Sequence, residues 1–240
     1  MPQAKPKHRK HLLAIRSYLA AASYAYGNGF SSTVPVKTRT RSAQAAIAAL
    51  RADAADCKAC PLWKNATQTV FGEGASEARL MLVGEQPGDV EDRTGHPFAG
   101  PAGRILDAAL EAAKIPRAAV YVTNAVKHFK WVPRGKRRLH KTPAQREVAA
   151  CLQWLEQEIA ALAPGLIVCL GATATGALLG PASRVGALRG RVIRRDEAPP
   201  VLVTVHPSFI LRLTGADRDG ALAQLIADLR VAKRFVAGLR

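Results

Sequence analysis

The chain has 240 residues, 48% of them apolar, which is enough for one α/β domain with a sizeable core and cramped for a second. No uninterrupted apolar run approaches the roughly 20 residues that a membrane span needs, so no membrane association is expected. Lysine and arginine number 35 against 18 acidic residues, giving a net charge of +17 and an isoelectric point near 10.4. A polyanion, nucleic acid first, is the expected partner.

Residues 1–42 form a basic N-terminal extension, with Lys5, Lys7, Arg9, Lys10, Arg16, Lys37, Arg39 and Arg41 and no carboxylate. Arg16 interrupts the apolar stretch around Leu12, Leu13 and Ala20–Ala22, so a signal peptide is not expected. The stretch Gly27–Thr40 has the Gly/Ser/Thr/Pro composition of a linker. Two explanations stay open for the extension: a flexible DNA-binding arm, or a start codon chosen too far upstream. Four cysteines, one Cys-x-x-Cys among them, are open to disulfide, metal-ligand or core roles. The cytoplasm, or the nucleoid in a bacterium, is the expected compartment, and thiols stay reduced there.

From Ala43 the pattern turns regular. Short β-branched runs predict strands at Arg79–Gly84, Val120–Asn124, Leu166–Leu170 and Val201–Val205. Helical patterns fall at Gly103–Ala113, Pro143–Leu162, Ala172–Leu179 and Asp217–Val236, with Thr142 as N-cap and Pro143 at the first helical position of the second. Such alternation predicts a three-layer α/β/α domain around a mainly parallel four-stranded sheet. Ligands of parallel sheets bind beyond the carboxyl ends of the strands. Glu85, Gln86 and Asp89 follow the first strand, Asn124 ends the second and His206 follows the fourth, so polar and titratable groups gather on one edge.

The motifs Gly84-Glu85-Gln86-Pro87-Gly88, Gly95-His96-Pro97-Phe98-Ala99-Gly100 and His206-Pro207-Ser208, in this order, resemble the uracil-DNA glycosylase superfamily. The similarity is nearest to the iron–sulfur branch, family four, and within it to the UdgX type. It runs from about Cys57 to Phe235 and makes residues 43–240 the glycosylase-like domain. It implies an enzyme that excises uracil from single- or double-stranded DNA; nothing in the sequence suggests more than a monomer. Phe98 would stack on the base, the Asn124 amide would read its polar edge, and His206 would stabilise charge on the departing uracil. Asp89, Ser208 and Arg138 complete the implied substrate-binding set, and Gln86 would orient the base or a histidine.

The resemblance also implies a metal site. Cys57, Cys60 and Cys151 match ligands of the branch, while the fourth position, after Asn124-Ala125-Val126-Lys127, holds His128 in place of cysteine. A Cys₃His set of this kind is expected to hold a 4Fe-4S cluster, with structural zinc as the alternative. Cys169 sits inside a strand pattern and is expected to be core.

Between His128 and Thr142 lies a segment with Lys130, Arg134, Lys136, Arg137, Arg138 and Lys141, interleaved with Phe129 and Trp131. Cations hold phosphates and aromatics stack on bases, so a DNA-contacting loop is expected. Its Lys136-Arg137-Arg138-Leu139-His140 run is similar to the distinguishing loop of the UdgX type. The resemblance implies that His140 attacks the sugar after uracil leaves and stays bonded to DNA, assisted by Glu85. Two other readings stay open: a hydrolytic glycosylase that releases an abasic site, and a non-catalytic module that binds damaged DNA.

Overall fold

The computed structural model describes residues 36–239. The basic extension therefore lies almost wholly outside the described residues. Helix α1 (Val36–Ala55) opens the described chain and takes up the last residues of the linker-like stretch. A 3₁₀ turn at Pro61–Lys64 follows.

The main sheet holds β1 (Glu73–Gly74), β2 (Leu80–Gly84), β3 (Val120–Asn124), β6 (Leu166–Leu170), β7 (Val192–Arg195) and β8 (Ala198–Thr204) in the order β1-β3-β2-β6-β8-β7. Its four central strands are parallel and are the four read from the sequence. Two short antiparallel edge strands, β1 on β3 and β7 on β8, widen it to six. The two-residue β1 is below the length at which alternation can be read, and Arg194-Arg195 make β7 look like loop.

Side-chain alternation on the buried strands builds two cores. Leu80, Leu82, Val120, Val122, Leu166 and Val168 pack against α3 (Pro101–Ala112) and α8 (Gly215–Gly238). Met81, Val83, Tyr121, Ile167, Cys169 and Val203 face α1, α4 (Gln145–Leu162) and α5 (Ala172–Leu179). Cys169 is fully buried there, and burial pushes its thiol up to about 12, as suits a small apolar filler. The short helices α2 (Asp89–Thr94), α6 (Val185–Leu188) and α7 (Pro207–Ile210) occupy the loops at or near the strand ends.

Two local expectations change. Helix α4 starts at Gln145 with Ala144 as its cap residue, not at Pro143 with Thr142. The Glu147 carboxylate accepts the Ala144 N–H at 2.6 Å and the Lys130 ammonium at 2.9 Å, so a side chain inside the first turn caps the helix. The basic segment is not an open loop but a hairpin, β4 (Trp131–Arg134) and β5 (Arg137–His140), turning at Gly135-Lys136. Pro133 hid it from pattern reading. Proline is tolerated because both strands of a two-stranded ribbon are edges. No described helix is long and apolar enough to cross a membrane.

Candidate active site

At the carboxyl edge of the central strands lies a cavity of about 880 Å³, lined by Glu85, Gln86, Phe98, Asn124, His140 and His206 among others. Five of these were expected from strand ends and motif loops; His140 arrives from the hairpin. Asp89 and Ser208 also line it.

The apolar wall is Phe98, whose backbone takes the left-handed conformation (φ 59°) that non-glycine residues rarely adopt. Its ring lies 6.2 Å from that of His206 at an interplanar angle of 29°. Beneath it, Gly84 lets Phe98 and Asn124 approach: a Cβ there would collide with Asn124 Oδ1 and sit 2.6 Å from the Phe98 ring. The Asn124 amide has no hydrogen-bond partner among the described residues, although Asn124 is 2% exposed. Its atoms are open to the cavity that Asn124 lines, where an amide can both donate and accept.

The Nδ1 atom of His206 accepts the Ser208 N–H at 3.1 Å and lies 2.8 Å from the Ser208 hydroxyl. A backbone N–H can only donate, so the ring proton of the neutral imidazole sits on Nε2. Burial, with His140 and Arg212 adding repulsion, holds His206 down to about 4. At neutral pH this histidine is an uncharged donor.

The orientation of Gln86 is equally determined. Its Oε1 accepts the Lys130 N–H at 3.0 Å, while Nε2 donates to the carbonyls of Lys141 (3.0 Å) and Lys130 (3.2 Å). This places Nε2 2.9 Å from His140 Nε2, with both amide protons already directed at the two carbonyls. Glu85 Oε1 is 3.6 Å from the same nitrogen, and Glu85 Oε2 accepts the Thr173 hydroxyl. Partial burial, reinforced by Arg212, lowers the His140 pKa against the opposing pull of Glu85.

Arg138 does not line the cavity. Its guanidinium donates to Asp89 and to Asp92 Oδ2 (2.6 Å) and lies over Phe129 and Trp131, 5.4 Å from each ring. It latches β5 to α2, and Asp89 faces it. Asp92, fully buried, also accepts the Thr67 N–H at 2.9 Å. The exposed cations of the ribbon are Arg134, Lys136 and Arg137.

Several supporting residues escaped the motif reading. Glu91 accepts the Gly88 N–H at 3.1 Å and the Gly100 N–H at 2.8 Å, joining the two motif loops on either side of Phe98. Its place three residues after a glycine N-cap was the available signal. Lys127 and Glu158 form a buried ion pair. Lys127 Nζ donates to Thr123 Oγ1 (2.6 Å) and the Asn124 carbonyl (2.8 Å), while Glu158 Oε1 accepts Tyr121 OH at 2.8 Å. No local pattern announces a pair 31 residues apart. Thr173, in the first turn of α5, gave no sequence signal at all.

The metal-type donors sit under the other end of this region. Cys60 and Cys151 share a small apolar cluster with Leu62 and Val126. Burial pushes the Cys151 thiol up to about 11, and Cys57 and Cys60 add repulsion, which places the three thiols in one neighbourhood. Cys151 Sγ accepts the Lys127 N–H and Cys57 Sγ accepts the Trp154 indole N–H, both at 3.2 Å. His128 is 5% exposed, with Nε2 3.0 Å from Thr69 Oγ1. The Thr69 hydroxyl donates to the Ala54 carbonyl at 2.9 Å, so it accepts from His128 Nε2–H, and the lone pair of His128 is on Nδ1. Among the described residues, no three His, Cys, Asp or Glu side chains converge on one point as a single-ion site would require. Soft thiols with N–H donors and a spare imidazole lone pair are a donor set that fits an iron–sulfur group.

The family model of the uracil DNA glycosylase superfamily matches residues 71–230. A type-4 uracil-DNA glycosylase of Thermotoga maritima is 37% identical over 182 residues, 75% of this chain and 89% of that protein. Type-4 uracil-DNA glycosylases of Pyrobaculum aerophilum (35% identity; 65% of this chain, 80% of theirs) and Archaeoglobus fulgidus (31%; 65% and 78%) are also similar. With the shared fold, the motif loops around one cavity and a family match over more than half its length, the chain belongs to the uracil DNA glycosylase superfamily.

Proposed function

We propose that the protein is a uracil-DNA glycosylase of the UdgX type, which excises uracil and then bonds to the sugar through His140. The observation that carries the excision reading is the convergence of Phe98, the unpartnered Asn124 amide and the Nε2–H of His206 on one cavity. An extruded base would stack on Phe98 and present its polar edge to Asn124. As the N1–C1′ bond breaks, its electron pair leaves with uracil and negative charge develops on a uracil oxygen. The neutral His206 donor meets that charge, and stabilising charge that develops in the transition state is the largest catalytic gain of this type.

The sugar is left with oxocarbenium character. Glu85 stabilises it, and His140 Nε2, turning from Gln86 toward the sugar, forms the new N–C1′ bond with its lone pair. The imidazolium then sheds its Nδ1 proton to solvent. An N-alkylated imidazole is a poor leaving group, so the adduct persists. The exposed Arg134, Lys136 and Arg137 would meet DNA phosphates on either side of the extruded nucleotide. Cys57, Cys60, His128 and Cys151 would hold a 4Fe-4S cluster, and that group when bound would brace the segments that carry Thr67 and Asn124.

The test is a denaturing gel of protein mixed with a labelled uracil oligonucleotide, with a thymine oligonucleotide as control. A uracil-dependent band that survives denaturant is the expected result. Alkali-cleavable product without that band would keep the glycosylase and remove His140 as nucleophile, leaving hydrolytic turnover. Neither product would leave a DNA-binding module.

A further inference from the structure

We propose that Thr173 is a positioning residue for this reaction: its hydroxyl holds one oxygen of Glu85 so that the other faces the sugar and His140. The inference rests on the glycosylase reading and concerns a residue outside its motifs.

The turn that carries Thr173 is set by Gly171, the cap residue of α5, whose backbone is left-handed (φ 84°). The Gly171 N–H donates to the Thr204 carbonyl at 2.9 Å. A Cβ at Gly171 would stand 2.8 Å from His206 Cβ, so the turn is pressed against one side chain of the site. Two residues on, Thr173 Oγ1 donates to Glu85 Oε2. A single turn, entering straight from β6, thus abuts His206 and fastens Glu85.

Glu85 needs such a restraint. Its Oε1 lies 3.6 Å from His140 Nε2, too far for a hydrogen bond. No hydrogen bond holds that oxygen in place before the sugar cation forms. Without Thr173, the carboxylate is free to rotate about its side-chain torsions or turn toward Arg212, which also lines the cavity. With the hydroxyl on Oε2, Oε1 is presented in advance. Preorganisation of this sort lowers the barrier without strengthening ground-state binding.

The expected signature is therefore a split between chemistry and binding. Thr173→Val keeps the shape of the side chain and removes the donor. Thr173→Ser keeps the donor. In single-turnover assays with a uracil oligonucleotide, Thr173→Val should slow excision by roughly tenfold or more, the scale of one hydrogen bond to a charged group. Its affinity for the same DNA and its melting temperature should stay at the wild-type values, and Thr173→Ser should recover most of the rate. Equal rates for wild type and Thr173→Val would overturn the proposal while leaving the glycosylase intact. So would a slow Thr173→Ser, or a Thr173→Val whose rate loss follows a loss of DNA affinity. Failure of the wild-type chain itself to release uracil would instead sink the reading on which the proposal rests.

Discussion

Ser208 N–H makes His206 Nδ1 an acceptor and so fixes the tautomer of that histidine, which offers its Nε2 proton to the cavity. His140 Nε2 stands 2.9 Å from the Gln86 amide nitrogen, itself oriented by the backbone of Lys130 and Lys141, and 3.6 Å from Glu85. His140→Ala should preserve uracil release and abolish the denaturant-stable product, as a gel and a base-release assay run side by side would show. Loss of both activities with the fold intact would mean that His140 is needed before the glycosidic bond breaks. His206 also has a stability signature. Its folded pKa of about 4 lies below the ordinary value near 6.5, so between these limits the unfolded chain binds more protons. Stability must then rise with pH across that window and fall as acid is added, by up to about 1.4 kcal/mol per pH unit for one such group. Urea unfolding at pH 7 and pH 5 should show a larger acid loss for wild type than for His206→Asn.

At the scale of elements, the four parallel strands were legible because each is an unbroken apolar run ending in Gly, Asn or a polar turn. The site residues at their carboxyl ends were legible for the same reason: topology puts strand ends together whatever the side chains do. Arg138 shows the limit of that reasoning. A charge-dense segment suggested phosphate partners for every cation in it, yet Arg138 is turned inward onto Asp89 and Asp92. Which of several adjacent arginines points inward depends on the hairpin register, and Pro133 concealed the hairpin. The start of α4 was misplaced for a related reason, since a cap drawn from Glu147 within the helix outweighed the Thr-Pro signal before it. Replacing Arg134, Lys136 and Arg137 together by Gln should weaken binding to uracil and thymine oligonucleotides alike. The salt slope should fall by about 0.9 for every phosphate that is no longer neutralised. Binding measured from low to high salt would expose the alternative, a slope that does not move.

The described domain is held by two large apolar layers, and the buried Lys127–Glu158 ion pair ties them to the site. Lys127 and Glu158 are 1% and 0% exposed, and Lys127 reaches the Asn124 carbonyl by its side chain and Cys151 by its backbone N–H. Removing one partner of a buried pair strands the other. Lys127→Met should therefore destabilise the fold by about 3–5 kcal/mol, and the double variant Lys127→Met with Glu158→Gln should recover part of that loss. Chemical denaturation of both variants would check it; a double variant less stable than the single one would show that Glu158 serves chiefly its hydroxyl donors, Tyr121 and Thr123.

The ribbon that carries His140 shares no ladder with the six-stranded sheet. It is anchored by side-chain bonds from Gln86, Arg138 and Trp131, the last donating its indole N–H to the Asn65 carbonyl at 2.9 Å, and neither apolar layer passes through its strands. It is thus a cassette bounded by Phe129 and Lys141, whose removal would cost the scaffold chiefly the Arg138 partner of the buried Asp92 and the Lys130 partner of Glu147. If the cassette bears the trapping step, an enzyme that turns over and a reagent consumed in a single event differ by one short insertion. Grafting it onto a turnover relative would then convert a catalyst into a stoichiometric tag for uracil.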